Sequence, residues 1–176
     1  AFNQVSPSSY TCYCPTGYSG SRCETAQTSP PSPTIIGDTC PNAILIPNAL
    51  TSETVVAAFS GNTNLLQSTS FTTSSGCVYS SSLASPDQYY LFIPPVTGYL
   101  SIDLCSNSNF DTFLSLHTSC PTSTAQYSFS CNDDSCGLLS SIQHALVYIN
   151  NPVYIRVGGY SSNSGLYTLT FKFIAA

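Results

Sequence analysis

The sequence predicts an all-β protein: an antiparallel β-sandwich of the jelly-roll type, preceded by a small disulfide-bonded fragment and a Pro/Ser/Thr-rich spacer. Apolar and polar side chains alternate with a period of two over residues 100–104, 153–157 and 167–173, as in half-buried strands. Runs of Pro, Gly, Asn and Ser separate such segments and predict turns. No amphipathic helical stripe of useful length occurs.

Further strand candidates fill the intervals between these turns. Together they make eight or nine short strands, which is typical of a two-sheet sandwich. They are residues 43–46, 54–59, 88–93, 111–117, 125–131 and 141–149. Apolar residues of the strands form the predicted core, namely Leu91, Ile102, Leu104, Leu114, Leu116, Ile155, Val157, Leu169 and Phe171.

Residues 1–24 carry a cysteine motif of their own. Residues 12–23 follow the pattern C-x-C-x-x-G-aromatic-x-G-x-x-C and resemble the C-terminal half of an EGF-like module. The resemblance implies a Cys14–Cys23 disulfide and an upstream partner for Cys12. No cysteine precedes Cys12, and the total of nine is odd. We therefore expect Cys12 to bond outside residues 13–176, in a longer polypeptide or a neighbouring chain.

Residues 25–37 form a Pro/Ser/Thr-rich linker. Its first ten residues contain three prolines, which remove amide donors and favour extended structure. We expect residues 25–34 to lack regular hydrogen-bonded structure. They are also O-glycosylation candidates, with a bare linker as the alternative: Thr25, Thr28, Ser29, Pro30, Pro31, Ser32, Pro33 and Thr34, the prolines after hydroxylation.

Residues 38–176 form the predicted sandwich. Several segments of residues 38–173 resemble the secreted pre-peptidase C-terminal (PPC) domain family. They begin at Asp38-Thr39-Cys40, Phe110-Asp111-Thr112 and Cys131-Asn132-Asp133, and they include the closing residues 154–169. The resemblance implies a non-catalytic β-sandwich that assists substrate contact, sorting or adhesion. It also implies a Cys40–Cys77 disulfide.

Four more cysteines allow three pairings: Cys105, Cys120, Cys131 and Cys136. We favour Cys120–Cys131, which would join the strands at 111–120 and 125–131 as a hairpin and leave Cys105–Cys136. Cysteines in this number, without a His-rich metal pattern, indicate disulfides in an oxidising compartment. The expected location is extracellular, secreted or at the cell surface.

The charge content excludes several partners. Charged residues are 6% of the chain, against about 25% in average soluble proteins. Only three residues are basic, so the clustered Lys and Arg that bind nucleic acid are missing. No apolar run approaches the ~18 residues of a membrane span, so membrane insertion is not expected.

One oxygen-rich cluster is a candidate metal site. Asn132, Asp133 and Asp134 form an acidic loop, with Asp111 and Asp103 as further carboxylates. Ca²⁺ takes six to eight oxygen ligands, and some members of the resembling family hold calcium. The alternative is that the loop makes Asx turns. Apart from this candidate structural calcium, no cofactor is expected.

The sequence does not predict an enzyme. His117 and His144 are the two histidines, and neither G-x-S-x-G nor H-E-x-x-H occurs. Glycosidases need two carboxylates across a cleft, and no pair outside the acidic loop is suggested.

Five tyrosines are candidate partner or glycan contacts because their rings combine apolar faces with polar tips. Tyr154 and Tyr160 are expected to be the better exposed ones of the sandwich. The N-terminal fragment is too small to bury a core alone, so we expect it to dock on a sandwich, its own or a neighbour's. Its anchors would be Tyr10, Tyr13 and Tyr18.

These observations favour a non-catalytic extracellular structural module, a repeat or protomer of a fibrous cell-surface or appendage glycoprotein that assembles head to tail. The expected partners are copies of itself or adjoining repeats. The alternative is a carbohydrate-binding or adhesive module with glycan partners. A third hypothesis, an accessory domain of a secreted peptidase, rests on the PPC resemblance alone.

Overall fold

The computed structural model describes residues 18–19, 25–26, 35–47, 54–68, 85–121 and 128–176. The chain divides into two compact units, Ala1–Thr34 and Ile35–Ala176. In the first unit, strand β1 (Tyr18–Ser19) pairs antiparallel with β2 (Thr25–Ala26).

The expectation that residues 25–34 lack regular structure is therefore wrong for Thr25 and Ala26, which precede the prolines and keep their amide donors. The remaining N-terminal candidates, from Tyr10 to Cys23 and from Thr28 to Thr34, lie outside the described residues, except Tyr18 in β1.

In its described residues, the second unit contains a short 3₁₀ helix, Cys40–Asn42, and nine strands. The strands are β3 (Ile44–Leu45), β4 (Thr54–Asn62), β5 (Gln88–Phe92), β6 (Gly98–Asp103), β7 (Thr112–His117), β8 (Ser128–Asn132), β9 (Ser141–Val147), β10 (Val153–Gly159) and β11 (Leu166–Ala175). Within the described ranges, no helix has the length and apolarity needed to cross a membrane.

The nine strands form a two-sheet β-sandwich. One sheet has five strands in the order β3-β5-β10-β7-β8, and the other has four in the order β4-β11-β6-β9. Pairing is antiparallel except between β3 and β5. The all-β sandwich and the order of its strands along the chain are as the sequence predicts, since each predicted strand that is described overlaps an observed one.

The core lies between the sheets and contains the apolar positions of alternating strands. Ile102, Leu114, Ile155 and Leu169 are completely buried there, as predicted. Leu91 is the exception among the predicted core residues, because it is only half-buried. Its neighbours Tyr90 and Phe92 face the opposite sheet instead, and Phe92 packs edge-on against Phe171 at a ring-centroid distance of 4.9 Å.

A hydrogen-bonded pair of tyrosines crosses the core. Tyr90 of β5 and Tyr167 of β11 lie in different sheets, and their hydroxyls are 2.8 Å apart. Tyr167 donates to Gln88 Oε1 at 2.6 Å, so it accepts from Tyr90. Burial raises the pKa of both tyrosines, which keeps the hydroxyls protonated as donors. Each buried hydroxyl thus has a partner, as a buried polar group requires.

Two disulfides between described residues link distant parts of the sandwich. Cys105 bonds Cys136, as the favoured pairing predicts. Cys40 bonds Cys120, so the implied Cys40–Cys77 and the favoured Cys120–Cys131 are both wrong. The observed bond joins the 3₁₀ helix before β3 to the residues after β7, which are 80 residues apart in sequence and whose strands are separated in the sheet by β5 and β10. Spacing along the chain carries no information about such a pairing. Cys131 is also disulfide-bonded, and its partner lies outside the described residues. These disulfides indicate an oxidising, non-cytoplasmic compartment.

Part of the outer face of the five-stranded sheet is buried and contains an ion pair. Arg156 of β10 is completely buried there, and its Nε donates to Asp87 Oδ2 at 2.7 Å. Ser85 Oγ accepts the Gly159 amide beside this pair. An added Cβ at Gly158 would lie 2.8 Å from the Arg156 guanidinium, so glycine leaves room for it. The sequence alternation places Arg156 opposite the core, but its burial comes from the tertiary structure.

The edge strands of the two sheets differ in how well they are protected against pairing with a strand of another chain. Strand β3 has two residues, while β8 and β9 each pair with a register shift, and His144 in β9 has a positive φ of 55°. Short and bulged edges resist pairing with other chains. Strand β4 is different, because it has nine residues and neither a charged residue nor a proline. Among the described strands it pairs with β11 alone, in an unbroken register.

Candidate functional site

The acidic residues meet at one end of the sandwich. Asp111 directly precedes β7, while Asp133 and Asp134 directly follow β8. Because β7 and β8 are antiparallel neighbours, the start of one and the end of the other lie at the same end of the sheet. The three carboxylates therefore converge, with one oxygen of each within 4.8 Å of the others. We call these three residues the acidic cluster.

Burial is unequal across the acidic cluster. Asp133 is 6% exposed, Asp111 is half-buried and Asp134 is exposed. Burial, together with the smaller effects of the negative charges of Asp134 and Asp111, raises the pKa of Asp133 to about 6. Burial also raises the pKa of Asp111, with Asp134 adding to the effect. The cluster is thus a place where negative charge is unfavourable without a positive partner.

The loop between β8 and β9 is held in place by Ser140. Its hydroxyl lies 2.8 Å from the Asp133 carbonyl oxygen and 2.7 Å from the Thr112 carbonyl oxygen. Its amide donates to Thr112 Oγ1 at 2.9 Å. Asn132, also named as a candidate ligand, accepts the Ser141 amide with Oδ1 at 2.9 Å. The Asn132 side chain therefore braces the loop, and one lone pair of its oxygen is already in use.

The Cys105–Cys136 disulfide attaches the same loop to the end of β6. The Ser135 and Cys136 amides both donate to the Leu139 carbonyl, which closes a tight turn around Gly137. Gly137 has a φ of +71°, a conformation that favours glycine. Asp103 does not join the acidic cluster, since its Oδ1 accepts the Cys105 amide at 2.9 Å.

A pocket of about 700 Å³ adjoins the acidic cluster. Phe110 and Leu139 give it apolar surface, and the side chains of Asn109 and Asn163 give it polar surface. Asp111 belongs to both the pocket and the cluster. Sequence reasoning missed the two asparagines and Phe110 as site residues. Asn109 and Phe110 lie on the connection from β6 to β7 and Asn163 on that from β10 to β11, and no spacing in the sequence indicates that these connections meet.

The two histidines lie in different environments. His117 is 1% exposed, and its Nε2 lies 2.9 Å from Ser115 Oγ, which is itself completely buried. A buried serine hydroxyl on the same strand is not accessible to a substrate. His144 is exposed on β9, with its ring centroid 6.5 Å from that of Tyr99. Among the described residues, neither histidine forms a Ser-His-Asp arrangement that faces solvent.

The tyrosines of the sandwich occupy less open positions than expected. Tyr154 and Tyr160 are both half-buried. Tyr160 packs against Phe113, and its amide donates to the Asp111 carbonyl at 3.0 Å. It lies next to the acidic cluster and does not project from it. The more exposed tyrosines of the described sandwich are Tyr99 and Tyr148.

Comparisons with known proteins give no family for the chain. No family model matches it, and no curated protein matches it. Among solved structures, the chain is similar to PliG of Aeromonas hydrophila, a periplasmic inhibitor of g-type lysozyme. That match covers 74% of this chain and 95% of the other, at 7% sequence identity and a TM-score of 0.48. The resemblances to the EGF-like and PPC families therefore rest on their sequence motifs alone.

Proposed function

We propose that the chain is a non-catalytic structural module of an extracellular protein, which assembles with copies of itself or with adjoining repeats. The observation that carries the proposal is the edge of β4, which among the described strands pairs on one side only, with β11. From Val56 to Asn62 this strand is regular and uncharged, and its outward side chains at Val56, Ala58 and Ser60 are exposed. An edge of this kind is a template for pairing with a strand of another chain.

The low charge of the molecule supports the same proposal. With 6% charged residues, little electrostatic repulsion keeps two copies apart. The outer face of the four-stranded sheet also presents exposed apolar side chains beside β6 and β9. These are Tyr99, Leu146, Tyr148 and Ile149. A second, different contact through the N-terminal module would make the assembly head to tail, and such contacts produce fibres when they do not close.

The finer elements of the proposal are the EGF-like half-module, the semi-rigid glycosylated spacer and an out-of-chain disulfide at Cys12. Jelly-roll connectivity is a further element. The chain changes sheet at every connection from β4 to β11 except between β7 and β8, which supports the double Greek-key arrangement of a jelly roll. In this proposal the sandwich is the repeating body, and the N-terminal residues connect one body to the next.

The assembly is tested by light scattering on the full disulfide-bonded chain over a concentration series. We expect the mass to rise with concentration, and Val56→Lys combined with Ala58→Lys to weaken association at least tenfold, since lysine on an edge opposes pairing. Gln143→Lys is the matched control, because Gln143 is exposed on the bulged edge strand β9. A wild-type chain that stays monomeric throughout would contradict the proposal.

A second candidate function, glycan binding, is favoured by the pocket beside the acidic cluster. Phe110 is largely buried in the core and contributes apolar lining at the base of this pocket, while Asn109 and Asn163 contribute amide groups for contact with a sugar. A glycan array with the wild type and Asn163→Ala tests this function. Binding that the substitution removes would support it, and no bound glycan in the array would exclude the tested sugars.

A further inference from the structure

The acidic cluster contains oxygens that the protein does not satisfy. Asp133 is buried, with an exposed fraction of only 6%, and its Oδ1 has no hydrogen-bond partner among the described residues. Asp111 Oδ1 is likewise buried and has no hydrogen-bond partner among the described residues. A buried carboxylate oxygen without a donor is costly, and most buried polar atoms in native proteins have a partner. Two such atoms in one cluster point to a positive ligand.

No described basic side chain supplies that charge. Arg156 and Lys172 are the basic residues of the described sandwich. Arg156 pairs with Asp87 on the outer face of the five-stranded sheet, and neither forms an ion pair with Asp111, Asp133 or Asp134. The cluster carries three carboxylates, so its mutual repulsion is relieved only by protons or by a cation.

The surrounding structure prevents the carboxylates from separating. Asp133 is held through its carbonyl by Ser140, and Asp111 through its carbonyl by the Tyr160 amide. The Cys105–Cys136 disulfide anchors the rest of the loop. A flexible acidic loop would spread its charges into water, whereas this one keeps them together. Such pre-organisation is expected of a binding site.

From this arrangement we propose that Asp111, Asp133 and Asp134 bind a single Ca²⁺ ion. The ligand set consists of oxygens only, which hard cations prefer, and no histidine or free cysteine belongs to the cluster. Ca²⁺–oxygen distances are about 2.4 Å, so two oxygens on opposite sides of the ion lie about 4.8 Å apart. The three carboxylates fit within that span. Exposed Asp134 leaves one side open, where water completes the coordination.

The ion would tie the start of β7 to the loop after β8, next to the pocket. Its role is to stabilise this end of the sandwich, and the proposal does not rest on the proposed assembly function. Extracellular modules typically bind Ca²⁺ with Kd values of about 10⁻⁴–10⁻³ M, and a site with one open side belongs in this range.

The experiment is calorimetric titration of the full, disulfide-bonded chain with CaCl₂, together with thermal unfolding in EGTA and in excess Ca²⁺. We expect one site and, at about 100 times Kd, a rise in Tm on the order of 5–10 °C. Asp133→Asn should abolish binding, and Asp134→Asn should weaken it at least tenfold. Asp134 is exposed, so its variant tests the site even if Asp133→Asn fails to fold.

Asp103→Asn is the matched control. It removes the same charge near the same disulfide, and its retained Oδ1 still accepts the Cys105 amide. It should bind Ca²⁺ within about twofold of the wild type, well inside the tenfold that corresponds to 1.4 kcal/mol. The proposal is overturned if the wild type shows no Ca²⁺-dependent heat or Tm shift. It is equally overturned if Asp134→Asn binds as tightly as Asp103→Asn.

Discussion

The two outer faces of the sandwich look alike in the sequence and differ in the structure. Each belongs to strands with period-two alternation, whose polar positions point away from the core. On the inner strands β5, β7 and β10 of the five-stranded sheet, several of these positions are buried, as Tyr89, Ser115 and Arg156 are all at 0% exposure. On the four-stranded sheet Val56 and Tyr99 are 64% and 41% exposed. Alternation therefore identifies the core face of a strand but does not tell whether its other face meets water.

The two outer faces also differ in what they contribute to the protein. The buried face carries a desolvated ion pair whose members depend on each other. The other face carries exposed side chains, whose individual contributions to stability are small, and it includes the edge strand β4. One face should therefore control the stability of the fold, and the other should control association.

The largest expected effect breaks the buried ion pair. Arg156→Met retains much of the side-chain volume but leaves Asp87 buried without its cation, which should cost about 3–5 kcal/mol of unfolding free energy. Lys172→Met is the control, because Lys172 is exposed on the four-stranded sheet, and should change stability by less than about 0.5 kcal/mol. Urea unfolding of both variants measures the difference. Equal losses would show that the two faces are energetically alike.

A smaller effect is expected from removing a single hydroxyl. Tyr167→Phe leaves Gln88 Oε1 without its donor and Tyr90 without its acceptor, so it should cost about 1–3 kcal/mol. Tyr99→Phe makes the same chemical change at an exposed position and should stay within about 0.5 kcal/mol of the wild type. Denaturant midpoints at constant m-value give both numbers. A loss at Tyr99 that matches the loss at Tyr167 would contradict the inter-sheet role of the buried pair.

The smallest expected effect concerns pH in EGTA. The pKa of Asp133 is raised to about 6 in the folded chain, mainly by burial, while the unfolded carboxyl titrates near 3.9. The unfolded chain therefore ionises first, and the stability present below pH 4 is lost as the pH rises through 6. The urea midpoint of the wild type should fall between pH 5 and pH 7 by more than the midpoint of Asp133→Asn does over the same range. Identical pH profiles for the two proteins would refute this assignment.

Part of the acidic cluster could be predicted from sequence. Strands at 111–117 and 125–131 predict a hairpin, and a hairpin brings Asp111 close to the residues after the second strand. The role of Asn132 could not be predicted in the same way, because it depends on the Ser141 amide, which belongs to the opposite sheet. Neither could the pocket, since Asn109 and Asn163 come from connections far apart in the chain.

The sequence by itself determined the all-β class, the approximate bounds of the strands and the low charge, since period-two alternation and turn residues are local properties. Only the tertiary structure decided the Cys40–Cys120 pairing, the burial of Arg156 against Asp87 and the inward facing of Tyr90 instead of Leu91. These depend on which segments meet in space, and local patterns carry no information about sheet order. Cysteines pair with whichever cysteine the topology brings within bonding distance, and a polar side chain is buried or exposed according to what covers it.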